Sequence, residues 1–162
     1  MILSSTMNNR SGNSNRDSVI VQSVVLNVSI EEAFTYFTNN QRIEEWLTSK
    51  ADVIPKVGGK YELFWNPETP EDNSTIGCKV LAINAPNYIM FDWKGPTQFK
   101  SFMNSADPLT TVIVNFSSLE EKTLVTLIHS GWRNQTDWEE ARIYFKTAWN
   151  GAFQNLETRV ND

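Results

Sequence analysis

The sequence predicts an α+β fold: an antiparallel sheet with its helices segregated to one face. Three observations predict it. The middle of the chain is a series of short β-branched and aromatic runs separated by turn residues. Two short helical patterns precede that series. One long amphipathic pattern, "TDWEEARIYFKTAWNGAFQNLETRV", closes the chain, and it alone is large enough to cover the apolar face such a sheet exposes.

The elements follow in order. "VIVQSVVLNV" (19–28) is β-branched and reads as a first strand. Ser29 with Glu32 three residues later forms a capping box, so a helix starts at Ile30 and buries Ala33, Phe34 and Phe37. "NNQRIEEWL" is a second short helix with Ile43, Trp46 and Leu47 on one face. "ADVI" is a short strand stopped by Pro55, and Gly58-Gly59 marks a turn that needs positive φ. "KYELFW", "TIGCKVLAI" and "YIMFDW" are strands; "NPETPEDNS" and "NAPN" are the intervening loop and turn. Residues 95–109 form a long loop whose Phe99, Phe102 and Met103 suggest a packed flap. "TTVIVNFSS" and "TLVTLIHSG" pair as a hairpin through "LEEK". Thr136 and Glu139 have capping-box spacing at the start of the long helix. Its buried face holds Trp138, Ala141, Phe145, Ala148, Trp149, Ala152, Leu156 and Val160.

Composition narrows the function. The 162 residues fit one domain, expected over 18–160, after an Asn/Ser-rich flexible tail over 1–17. Met7 is an alternative start to Met1. The net charge of −5 comes without a Lys/Arg cluster, which argues against nucleic acid and acidic membrane surfaces. No apolar run is long enough for membrane insertion, and the N-terminus lacks a secretory signal. The single Cys78 cannot form an internal disulfide, which fits a reducing, cytoplasmic location.

Four stretches resemble a known family: "EEWLTSKADVIPKVGGKYELFW" (44–65), "TIGCKVLAINAPNYIMFDWKG" (75–95), "TLVTLIHSGW" (123–132) and "FKTAWNGAFQNLETRV" (145–160). They resemble the domain related to the activator of the Hsp90 ATPase, in the START/Bet v 1-like (SRPBCC) helix-grip superfamily. The resemblance covers about residues 18–160 and implies a curved antiparallel sheet of roughly seven strands gripping the C-terminal helix. It also implies a cavity between sheet and helix, which relatives use for apolar ligands. A shared fold supplies no shared reaction.

The candidate site is drawn from the aromatic residues, since nine Phe, six Trp and four Tyr are many for this length. Tyr61, Leu63 and Trp65 alternate onto one strand face, and Phe91 and Trp93 do so on another. Trp149 and Phe153 lie on the helix face next to Gly151. That glycine weakens the helix unless close packing or a ligand needs the space. These rings either fill the core or wall an apolar cavity. Trp46 and Trp132 are placed at its mouth, and the 95–109 loop is its lid. The expected ligand-binding set is thus Trp46, Tyr61, Trp65, Trp93, His129, Trp132, Phe145, Trp149 and Phe153.

His129, the single histidine, shares a strand face with Val125 and Leu127. It is a polar anchor for a ligand, an acid/base group, or a strand-end residue bonded to a carbonyl or hydroxyl. Catalysis would need a nucleophile and an orienting acid, and none is visible, so no catalytic residue is assigned. One histidine and one cysteine cannot make a zinc site, and no cofactor is expected. The leading expectation is a monomer or homodimer that binds a small apolar or amphipathic molecule between sheet and helix. The alternatives are a chaperone or stress-response regulator acting on a protein partner, as the resemblance implies, and a cavity enzyme using His129.

Overall fold

The computed structural model describes residues 18–162; the expected tail over 1–17 and the choice between Met1 and Met7 lie outside the described residues. Strand β1 (Ile20–Leu26) leads into helices α1 (Ile30–Thr38) and α2 (Asn40–Glu44). Ser29 caps α1 as its spacing predicts, its hydroxyl accepting from the Glu32 N–H at 3.2 Å. Strands β2 (Lys50–Val53) and β3 (Tyr61–Phe64) form a hairpin. Between them Gly58 adopts φ +79°, and a Cβ on Gly59 would sit 2.2 Å from the Ile54 carbonyl oxygen, so the turn needs both glycines for different reasons.

Strands β4 (Val80–Asn84), β5 (Tyr88–Trp93), β6 (Thr110–Leu119) and β7 (Lys122–Ser130) follow, and α4 (Thr136–Asn161) closes the chain. All pairings are antiparallel, in the order β1-β7-β6-β5-β4. The seven strands, as many as expected, are arranged as a five-stranded sheet and a two-stranded hairpin. Within the five-stranded sheet, the β4–β5 pairing shifts register between Val80 and Ala82. Isolated links run across the seam between hairpin and sheet: Lys60 bridges Lys79, the N–H groups of Gly58 and Tyr61 donate to the carbonyls of Val80 and Cys78, and the Val80 N–H donates to the Gly59 carbonyl, each hydrogen bond at 2.8 Å. The fully buried Thr75 hydroxyl accepts from the Leu63 N–H and donates to the Tyr61 carbonyl, both at 2.9 Å, doing by side chain what a strand backbone would otherwise do.

The core lies between the inner sheet face and α4. Val125, Leu127 and His129 of β7 alternate inward with Val112, Val114 and Phe116 of β6 and Ile89, Phe91 and Trp93 of β5. Helix α4 answers with Trp138, Ala141, Phe145, Trp149, Phe153 and Leu156. Tyr61 stacks on Phe91 at 3.6 Å, and its hydroxyl donates to the Phe37 carbonyl at 2.8 Å. Burying each such ring contributes about 1.5–3 kcal/mol.

Four local expectations are corrected. Gln135, not Thr136, occupies the N-cap of α4, and no side chain caps it. Thr136 lies inside the helix, and Glu139 instead pairs with Arg142 at 2.5 Å. Residues 95–109 contain a 3-10 turn (Thr97–Phe99) and helix α3 (Lys100–Met103), with Met103 fully buried. Gly151 faces solvent, and a Cβ there would meet nothing within 4 Å, so neither packing nor a ligand explains it. Ala148, expected in the buried stripe, is exposed.

Candidate functional site

His129 is fully buried on the inner face of β7, paired laterally with Ile20 and Val112. Its Nδ1 accepts from the Trp149 indole N–H at 3.1 Å. Because the indole nitrogen can only donate, Nδ1 carries no hydrogen and the neutral ring holds its proton on Nε2. Nε2 then donates to the Thr110 hydroxyl at 3.0 Å, and Thr110 is also fully buried. Desolvation lowers the His129 pKa to about 3, so the ring is neutral at physiological pH. The Trp132 indole N–H donates to the His129 carbonyl at 3.1 Å, with its ring centroid 4.5 Å from the imidazole. This arrangement fastens β7, β6 and α4 together. Both imidazole nitrogens are engaged within the core, and neither faces a carboxylate.

One ring away the core opens. A cleft of about 140 Å³ lies between α4, the end of β5 and the residues following β3. Its wall is Trp65, Trp93, Tyr144, Phe145 and Trp149, with Leu47, Pro96, Ala148 and Ala152 filling between them and Asn73 and Lys94 supplying polar atoms. The opening has a sequence cause. Tyr144, Ala148 and Ala152 follow one another at four-residue spacing on α4, beside the buried row Phe145–Trp149–Phe153. Two successive alanines leave the volume that larger side chains would fill. Trp65 forms the opposite wall and is held by its indole N–H, which donates to the Leu47 carbonyl at 2.9 Å.

The structure thus gathers Trp65, Trp93, Phe145 and Trp149 of the expected set around one cleft. Tyr61, His129 and Phe153 lie in the packed core outside its wall. Trp46 and Trp132, placed at the mouth by sequence, are buried elsewhere; the Trp46 indole donates to the Tyr36 carbonyl at 2.8 Å. Sequence reasoning missed Leu47, Asn73, Lys94, Pro96, Tyr144, Ala148 and Ala152. The Tyr-Ala-Ala row on α4 was the signal that could have found the helix side.

The 95–109 segment contributes Pro96 to the wall and is anchored on two sides. Thr97 and Lys100 donate to the carbonyls of Asp72 and Glu71 at 2.6 and 2.7 Å, and the Phe99 ring meets Tyr144 at 5.2 Å. Cys78 is buried, which pushes its thiol pKa up and keeps it protonated. Among the described residues no group of three or more His, Cys, Asp or Glu could hold a metal ion, and no helix is long and apolar enough to cross a membrane.

A family model described as "Activator of Hsp90 ATPase homolog 1-like protein" matches residues 27–161. Among curated proteins no sequence matches the chain. Solved structures share the fold at low identity. A protein of Mesorhizobium loti matches with TM-score 0.68 and 20% identity, over 88% of this chain and 96% of its own. A solution structure of the Aha1 dimer from Colwellia psychrerythraea matches with TM-score 0.65 and 17% identity, over 88% and 95%. An HSP90 activator from Plasmodium falciparum matches with TM-score 0.66 and 23% identity, over 87% and 94%.

Proposed function

The chain belongs to the Activator of Hsp90 ATPase homolog 1-like family, and from that premise we propose that it binds a small, largely apolar molecule in the cleft between sheet and C-terminal helix. One observation carries this reading: five aromatic rings from three separate parts of the chain converge on a space that the alanines of α4 leave empty. Its size sets the occupant. A space of about 150 Å³ holds a molecule such as benzene, while drug-sized pockets begin at about 300 Å³. At about 140 Å³ the cleft takes a single ring or the end of a longer amphipathic molecule. Affinity would come from apolar burial, at about 25 cal/mol per Å² before ordering costs.

The test has two parts. Native mass spectrometry of the purified protein looks for a small molecule that co-purifies. Ala148→Phe then fills the cleft from an exposed helix position without entering the core. Binding of a ring-sized probe such as α-methylstyrene is expected to weaken at least about tenfold, with unfolding unchanged. Undiminished probe binding in the variant would remove the cleft from consideration.

A second reading rests on different support. Two of the similar structures carry the names Aha1 and HSP90 activator, so a regulatory contact with an Hsp90-type chaperone in a reducing, cytoplasmic setting is the alternative. Its test is ATP turnover by purified Hsp90 with and without this protein. No change in rate and no co-sedimentation would end it.

A further inference from the structure

Trp93 ends β5 on the inner face of the sheet, 2% exposed, and its ring is part of the cleft wall. Among the described residues its Nε1 is the buried side-chain polar atom left without a hydrogen-bond partner. Its neighbours show why. The Trp149 ring lies 5.0 Å away, but its indole nitrogen can only donate, and it donates to His129. The His129 ring lies 6.0 Å away, with Nδ1 already accepting and Nε2 facing Thr110. Trp65 and Phe145 stand at 73° and 88° to the indole, at 5.9 and 6.3 Å, a geometry that offers no more than a weak N–H···π contact. By contrast, the indoles of Trp46, Trp65, Trp132 and Trp149 each donate to a named acceptor. A buried donor without an acceptor is costly, and a native structure that keeps one needs a reason.

We propose that the reason is the ligand: the cleft's occupant is a compact, ring-sized apolar molecule carrying an uncharged carbonyl oxygen that accepts the Trp93 N–H. This inference rests on the ligand-binding reading above and names the chemistry of that site. The rings around the Trp93 N–H disfavour a carboxylate there, because its charge would be desolvated against them. Lys94 is the cation in the wall, and its ammonium donates to the Ile76 carbonyl at 2.6 Å. The Trp93 nitrogen is sealed from solvent, so the acceptor reaches it as the indole or a covering ring rotates, and the bound cleft is deeper than the empty one.

The experiment compares matched probes on the full chain labelled with nitrogen-15. Acetophenone and α-methylstyrene share one shape, and only the first has the acceptor; benzoate replaces it with a carboxylate. The Trp93 indole signal is identified by its absence in Trp93→Phe. Acetophenone is expected to bind about tenfold more tightly than α-methylstyrene and to move the Trp93 indole N–H signal downfield. Trp93→Phe is expected to erase that preference while still binding α-methylstyrene. Equal affinities in the native protein, or a shift at another indole instead, would overturn the acceptor while leaving the cleft as a binding site. Tighter binding of benzoate would overturn the uncharged carbonyl. If no probe binds the native protein, the ligand-binding reading falls as well. The native-protein arms decide the matter even if Trp93→Phe folds poorly.

Discussion

Trp149 and Trp93 are the same residue type, in contact at 5.0 Å, yet they belong to regions built on opposite terms. Around Trp149 every polar atom has its partner within the chain: indole to imidazole, imidazole to Thr110, Trp132 to the His129 carbonyl. Around Trp93 the rings surround open space and one N–H is unpaired. The difference lies in what faces them from α4. The junction is met by large side chains of the buried row, whereas the cleft lies beside Ala148 and Ala152. A satisfied buried network fixes one arrangement of the elements it joins. An unsatisfied one keeps a group available for something not in the chain.

The strongest way to break this comparison is to remove its closed half. His129→Ala creates a cavity and orphans the Trp149 N–H, at an expected cost of about 3–4 kcal/mol in denaturant unfolding. A loss below about 1 kcal/mol would show the junction is no tighter than the cleft.

Acid should act on the same half. The folded pKa of His129, about 3, lies below its ordinary value of 6.5. The unfolded chain therefore binds the extra proton first, and stability falls as pH drops below about 6.5, by about 1.4 kcal/mol per unit, levelling off near the folded value. By pH 5 the loss is about 2 kcal/mol. Because His129 is the single histidine, a His129→Gln variant should lose this slope between pH 6 and 5, before carboxylates titrate. An unchanged slope would assign it elsewhere.

A matched pair sharpens the contrast. Trp149→Phe leaves Nδ1 of His129 without its donor and should cost about 2 kcal/mol. Trp93→Phe loses similar ring volume but also removes an unpaired N–H, so its cost should stay below about 1 kcal/mol. Equal melting shifts for the two would erase the distinction between the regions. The smallest expected effect lies outside both. Gly151→Ala meets open space on the solvent side of α4 and should stabilise the protein by about 0.8 kcal/mol through helix propensity alone. Thermal unfolding reads it directly.

Much of the fold was legible because it rests on local patterns. The alternation in β6 and β7 and the Ser29 cap need no partner to be recognised. The failures share a cause too. Thr136 and Glu139 have the right spacing, but the chain enters α4 one residue earlier and Arg142 claims the glutamate. The register shift at Val80–Ala82 depends on how β4 meets β5, and the separation of the β2–β3 hairpin depends on how β3 meets β4; neither leaves a mark in one strand alone. For the site, strand parity put His129 on one face with Val125 and Leu127, but it did not say which way that face points, and its partners Thr110 and Trp149 lie 19 and 20 residues away. Counting aromatic residues included four of the rings that border the cleft. It gave no means of telling a ring that packs from a ring that borders space, because the space is made by alanines.

The seam between the β2–β3 hairpin and β4 has a consequence for kinetics. Cys78 sits in it, fully buried, its carbonyl holding Tyr61 and its thiol protonated. A thiol reagent reaches it only when the hairpin parts from the sheet or the whole chain unfolds. The rate of Cys78 alkylation under native conditions is therefore a clock for that parting. Comparing it with the global unfolding rate tells whether the hairpin beside Trp65 opens on its own, and so whether the cleft has a door.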